Sequence, residues 1–193
     1  LLVGTGSDQK HLIVVVSADR GLCGGFNSNL ARSVANQILQ LEAQGKEVGL
    51  VFVGRKARDV LRGPYGSKIW ESFMGMTGKA KVEFVDANEV TQYILGKFNA
   101  GEYDVCTLAY NSFVSVLTQK PTLQQIIPFN MEDAIETGDS KDEPQDSSAP
   151  VSPYSFEPEE EKILSSLLPR NIGVQIYRAM LDSAAGEQAA RMT

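Results

Sequence analysis

Two short apolar runs, HLIVVV at 11–16 and EVGLVFV at 47–53, stand on either side of one helical stretch, and they leave few folds open to the chain. Each run is β-branched, continuous and bounded by turn residues, the pattern of a strand buried on both faces. Between them, LARSVANQILQLEAQG places Leu30, Val34, Ile38 and Leu41 at helical spacing, with Gly45 as the stop. Strand, helix and strand in that order are the grammar of a parallel sheet with helices on its faces.

The rest of the chain extends the same grammar. RKARDVLRG reads as a short basic helix, KIWESF as a third, amphipathic strand, ANEVTQYILGKFNAG as a helix and YDVCTLAYNSF as a further buried strand. QKPTLQQIIPF reads as an edge or hairpin strand, because Pro121 and Pro128 bracket it and neither donates a ladder hydrogen bond. The Ser- and Pro-rich acidic stretch 131–152 buries too little apolar surface to offset its ordering entropy, and reads as a mobile surface loop. YSFEP returns briefly to strand-like alternation.

From Glu159 the pattern is helical to the end. Ile163, Leu164, Leu167 and Leu168 form one apolar face, and Pro169 then marks either a kink or the first position of a new helix. Ile172, Ile176, Ala179, Met180 and Ser183 continue the stripe, which afterwards turns small and polar in DSAAGEQAARMT. A helix that loses its large core residues is expected to leave its own domain and meet a partner. The chain begins at Leu1 and stops inside this pattern, so it reads as a segment of something longer.

The turn after the first strand, DRGLCGGFN, is the one place that invites chemistry. Its glycines, Gly21, Gly24 and Gly25, follow G-x-x-G-G, which fits neither the dinucleotide fingerprint nor the P-loop, whose Lys and Ser/Thr are replaced by Phe26 and Asn27. Arg20 and a helix N-terminus would lower the Cys23 thiol, but the single histidine, His11, belongs to the opposite end of a parallel strand. One His and two distant Cys give no metal-ligand spacing. The two cysteines, Cys23 and Cys106, read as reduced thiols of an intracellular protein, not as a disulfide framework. A net charge of −6 without clustered Lys and Arg argues against nucleic-acid binding. No apolar run approaches the ~18 residues needed to cross a bilayer. The turn is therefore structural, with the three glycines allowing a tight change of direction and Asn27 or Ser28 capping the helix.

Two stretches carry a family resemblance. SADRGLCGGFNSNL resembles the S-[DS]-[RK]-G-L-C-G-[GSA] signature of the gamma subunit of F-type ATP synthases, and AAGEQAARMT resembles the S-E-Q-A-A-R-M segment that opens that subunit's long C-terminal helix. LAYNSFVSVLTQKPTLQQIIPF and YSFEPEEEKILSSLLPRN resemble the same family, in the right order. The fold then expected is α/β: a small Rossmann-like layer with a mostly parallel sheet over 1–157, followed at 158–193 by a helix belonging to an antiparallel coiled-coil shaft. The resemblance implies a non-catalytic central-stalk rotor that couples proton-driven rotation of the c ring to conformational cycling of the beta subunits. It implies no cofactor and no metal on this chain, and as partners the alpha and beta subunits, epsilon or its mitochondrial equivalent, and the c ring. Membrane association would run through the c ring alone, on the cytoplasmic side of a bacterial inner membrane or, alternatively, the matrix side of the mitochondrial one. By matching motif, Glu187, Gln188 and Arg191 would face the lower part of a beta subunit, and Tyr154, Phe156 and Glu157 the c ring and epsilon. Each set has a plainer reading: an i, i+4 pair of Glu187 with Arg191, and aromatics that close the domain's own sheet. Gly186 stands where the family commonly has Ser. The acidic insert is the least family-like part, and the pair Cys23 and Cys106 does not resemble the closely spaced regulatory dithiol of chloroplast gamma subunits. The rival function is a nucleotide- or small-molecule-binding α/β enzyme that uses the glycine turn.

Overall fold

The computed structural model describes residues 7–19, 26–76, 81–115, 117–127 and 158–192. In chain order they form β1 (Lys10–Val16), α1 (Phe26–Ala43), β2 (Glu47–Val53), α2 (Lys56–Tyr65), β3 (Ile69–Phe73), α3 (Phe84–Asn99), β4 (Val105–Ser115), β5 (Thr118–Ile127) and α4 (Pro158–Met192). The strands make one five-stranded sheet in the order β3-β2-β1-β4-β5. β1 is parallel to β2 and β4, and β2 is parallel to β3. β5 alone runs antiparallel, as the hairpin partner of β4. The expected α/β layer with a mostly parallel sheet is what the chain forms.

Alternation along the strands explains why both faces are covered. Leu12, Val14 and Val16 of β1, Val51 and Val53 of β2, and Cys106 and Leu108 of β4 point to one side, where α3 and α4 supply Val90, Ile94, Ile172, Ile176, Ala179 and Met180. Ile13 and Val15 of β1, with Leu50 and Phe52 of β2, point to the other, against Leu30, Val34 and Ile38 of α1 and Ala57 and Leu61 of α2. A strand with period-two side chains cannot be apolar throughout unless both its faces are roofed. Pro121 sits in β5 opposite Asn111, on a strand that among the described residues pairs on one side only, a position where a residue without an N–H is tolerated.

The helix ends are specified locally in two cases and remotely in a third. After α1, Gly45 takes φ 77°, its N–H donates to the Glu42 carbonyl at 2.9 Å, and the Lys46 N–H donates to Leu41 at 3.0 Å. This is the paired-bond C-terminal cap that a left-handed glycine permits. α3 starts at Phe84, ahead of the expected Ala87, because Glu83 and Asp86 form a capping box in which the Glu83 N–H donates to the Asp86 carboxylate at 3.2 Å. α2 has no side-chain cap of its own at Arg55. Instead the Ala57 N–H donates to Ser17 Oγ at 3.2 Å and the Lys56 N–H to the Ala18 carbonyl at 3.0 Å, so the end of β1 caps α2. α1 already includes Asn27 and Ser28, which places both inside the first turn and not at the cap position.

α4 runs for 35 residues, about 52 Å at 1.5 Å per residue, with Pro169 inside one continuous helix. Its middle is a wall of the core, since Ile172, Ile176, Ala179 and Met180 are buried against the sheet. The inner face stays buried beyond Met180, at Ser183 and Glu187, and Ala189 on a flank of the helix is buried as well. The expected departure at Met180 is thus corrected. Small residues allow close approach, and through Ala189 the helix remains covered within the chain itself.

Candidate functional site

In open α/β sheets, ligands enter at the carboxyl ends of strands where the strand order reverses. Here that point lies at β1, which has β2 on one side and β4 on the other. The described polar groups at this end, on Ser17 and Asp19, are engaged within the protein. Ser17 caps α2 through its hydroxyl, while its N–H donates to the Val53 carbonyl at 2.8 Å. Asp19 accepts from the Gly75 N–H at 3.2 Å and ties the chain after β3 to the chain after β1. Gly54 takes φ 101°, and a Cβ there would stand 2.1 Å from the Ser17 carbonyl oxygen. The crossing of β1 and β2 ends is therefore a structural knot.

The titratable groups point the same way. Cys106 is fully buried, and burial pushes its thiol well above the ordinary range, so it is no nucleophile. Tyr103 is buried alongside, and its hydroxyl donates to the Ile94 carbonyl at 2.7 Å. His11 Nε2 lies 2.7 Å from the Asp8 carbonyl oxygen, at the start of β1 and away from the glycine turn. Among the described residues, no group of three or more His, Cys, Asp or Glu is arranged to hold a metal ion. No helix among them is long and apolar enough to cross a membrane.

α4 holds Glu187, Gln188 and Arg191, the residues expected to meet a beta subunit. Glu187 is only 4% exposed and Gln188 is exposed, so adjacent residues of the expected beta contact differ in their access to a partner. Arg191 stands on the last turn of α4. Tyr154, Phe156, Glu157, Cys23, the glycines Gly21, Gly24 and Gly25, and the acidic stretch 131–152 lie outside the described residues.

A feature the sequence reading passed over lies on the outward face. Leu167, Val174 and Leu181 are 51%, 38% and 41% exposed, at i, i+7 and i+14. Phe84 and Val85, also exposed, flank them at the start of α3, where Phe84 meets Tyr177 edge-on at 5.6 Å. An apolar residue at every seventh position on the solvent side of a helix supplies one of the two core positions of a coiled-coil seam. The signal was present at 167, 174 and 181, hidden behind the stronger inner stripe. α3 and α4 come close because of Gly173, whose Cβ position is 3.4 Å from the Phe84 ring and from Thr91 Oγ1.

A family model described as ATP synthase matches residues 1–193. Among curated proteins, the ATP synthase gamma chain of Rhodospirillum rubrum is 46% identical over 193 residues, which cover all of this chain and 63% of that protein. The ATP synthase gamma chain of Granulibacter bethesdensis is 47% identical over the same span, again 63% of its length. The chain thus spans a little under two thirds of these relatives. Among solved structures, the central stalk and c ring of the Tetrahymena thermophila mitochondrial ATP synthase gives a TM-score of 0.70 at 24% identity, covering 97% of this chain and 75% of that one. The rotor of the Euglena gracilis mitochondrial ATP synthase gives 0.62 at 18% identity, covering 95% and 64%. At these identities the likeness speaks for the fold.

Proposed function

Because the chain belongs to the gamma-chain family of ATP synthases, we propose that it is the α/β domain and lower shaft of a central-stalk rotor subunit. The observation that carries this reading is the exposed seam of Leu167, Val174 and Leu181 along a helix whose opposite face is sealed into the domain. Such a helix is fixed on one side and available on the other. The occupant of the seam is a second shaft helix from the remainder of the gamma chain, packed antiparallel. The α/β layer is the foot, and rotation of the c ring beneath it turns the shaft inside the alpha and beta subunits. Chemistry resides on those subunits, and this chain is non-catalytic. Gln188 and Arg191 present the polar contact to beta, while buried Glu187 holds the inner face. Tyr154, Phe156 and Glu157 serve the c ring and epsilon. The protein is peripheral to a bacterial inner membrane on the cytoplasmic side, with the mitochondrial inner membrane as the alternative, and is held there through the c ring.

The test is reconstitution of the full-length gamma chain with alpha, beta, epsilon and the c ring, reading ATP-driven proton pumping. Wild type is expected to assemble and pump, and Val174→Glu with Leu181→Glu to weaken assembly by placing charge in the seam. No assembly by wild type, together with saturable nucleotide binding by the chain alone, would refute the reading in favour of an enzyme built on the glycine turn.

A further inference from the structure

The flank of α4 that lies along the β4–β5 ribbon is polar over three turns. Asn171, Gln175, Arg178 and Asp182 follow i, i+4, i+7 and i+11, one continuous stripe on a 3.6-residue helix. Two of them reach the sheet. Gln124 Nε2 of β5 donates to Gln175 Oε1 at 3.2 Å, and Gln175 Nε2 donates onward to Asn171 Oδ1 at 2.6 Å. Further along, the Phe113 N–H of β4 donates to the Asp182 carboxylate, with Arg178 and Tyr110 close enough to act on its charge. On the opposite flank, the Tyr177 hydroxyl donates to the Val82 carbonyl at 3.4 Å, ahead of α3.

The inner face of α4 between these flanks is aliphatic: Ile172, Ile176, Ala179 and Met180. Apolar contact is strong but non-directional: it opposes lifting α4 off the sheet and any large roll that would expose these side chains, and it constrains small turns and small slides least. Hydrogen bonds have defined angles and lengths and resist those two motions. We infer that Gln175 and Asp182 are positioning residues that lock the rotational register of α4 to the β4–β5 ribbon, so that a torque applied to the α/β domain is delivered to the shaft without slip. This rests on the rotor reading and adds to it the element through which the domain grips the helix.

The experiment uses the assembled complex with the full-length chain in vesicles, measuring ATP hydrolysis and proton pumping together. Each bond lost favours a shifted register by about fivefold, so Gln175→Leu with Asp182→Leu is expected to pump fewer protons per ATP than wild type. Gln124→Lys with Gln175→Glu rebuilds the tie as an ion pair and is expected to return the ratio to the wild-type value. A role confined to stability would lower the amount of complex without changing protons per ATP. A wild-type ratio in the double variant, no recovery with the rebuilt pair, or failure of the double variant to assemble would each overturn the inference. Failure of wild type itself to join the c ring would remove the rotor reading, and this inference with it.

Discussion

Replacing Gly54 with alanine is the sharpest test of the knot at the carboxyl end of the sheet. Gly54 has φ 101°, beyond the left-handed well that other residues occasionally enter. An added Cβ would sit 2.1 Å from the Ser17 carbonyl oxygen, 2.7 Å from its carbon and 3.0 Å from its Oγ. Backbone cannot swing aside as a flexible side chain does. The conformational strain costs about 1–3 kcal/mol, and the forced shift of β1 against β2 a further ~1–3 kcal/mol. A loss of about 2–6 kcal/mol is a large part of the ~5–15 kcal/mol that holds a domain together. In urea, with a slope of about 2 kcal/mol per molar, the midpoint should fall by roughly 1–3 M. Trp70, the single tryptophan, lies over Gly49 on the same sheet and reports unfolding by its fluorescence. Gly96→Ala is the control: it lies in α3 with nothing within 4 Å of its Cβ position, and should stabilise by about 0.5–1 kcal/mol. A Gly54→Ala midpoint equal to that of wild type or of Gly96→Ala would refute the reasoning.

Ser17→Ala removes the remote cap of α2 and should cost about 1 kcal/mol by the same denaturation assay; no change would mean that the Ala18 carbonyl alone suffices. Gly173→Ala should be tolerated within ~1 kcal/mol, whereas Gly173→Leu should push α3 from α4 and cost at least ~1–3 kcal/mol. Cys106 should resist alkylation at neutral pH until the protein unfolds, as read by mass spectrometry; labelling at the rate of an exposed thiol would contradict its burial. Burial holds the Asp182 carboxyl above its ordinary value, against the lowering by the Phe113 N–H and Arg178. The folded chain therefore takes up that proton at higher pH than the unfolded chain. This group's contribution to stability improves as pH falls through the raised value, and is complete below the unfolded one. Asp182→Asn removes this dependence, so its stability relative to wild type should be greater at neutral than at acid pH, and parallel pH curves would count against it.

The strands were legible because a parallel sheet roofed on both faces demands unbroken β-branched runs, and HLIVVV and EVGLVFV supply them. The hairpin edge was legible from Pro121, and the stop of α1 from Gly45, since each acts through its own backbone. What escaped was non-local. The cap of α2 comes from Ser17, 40 residues earlier than Ala57, and no local pattern announces it. Ser183 and Ala189 looked like the residues of a departing helix, yet small side chains equally serve close packing within one domain. The polar stripe from Asn171 to Asp182 reads in sequence as a solvated face, and only the position of β4 and β5 turns it into a clasp.

The order of the strands also sets a timetable for synthesis. β1 emerges near the start of the chain, but His11 pairs with Val105, and Leu12 and Val14 share their core with Ile172 and Met180. At about 5–20 residues per second, a ribosome needs roughly 8–30 seconds to make the stretch between them. During that time the most apolar strand of the protein has one face uncovered and its β4 edge unpaired. Contacts so distant in sequence slow folding through their loop-closure entropy. Among the described elements, α4 is thus the one whose arrival completes the roof over β1.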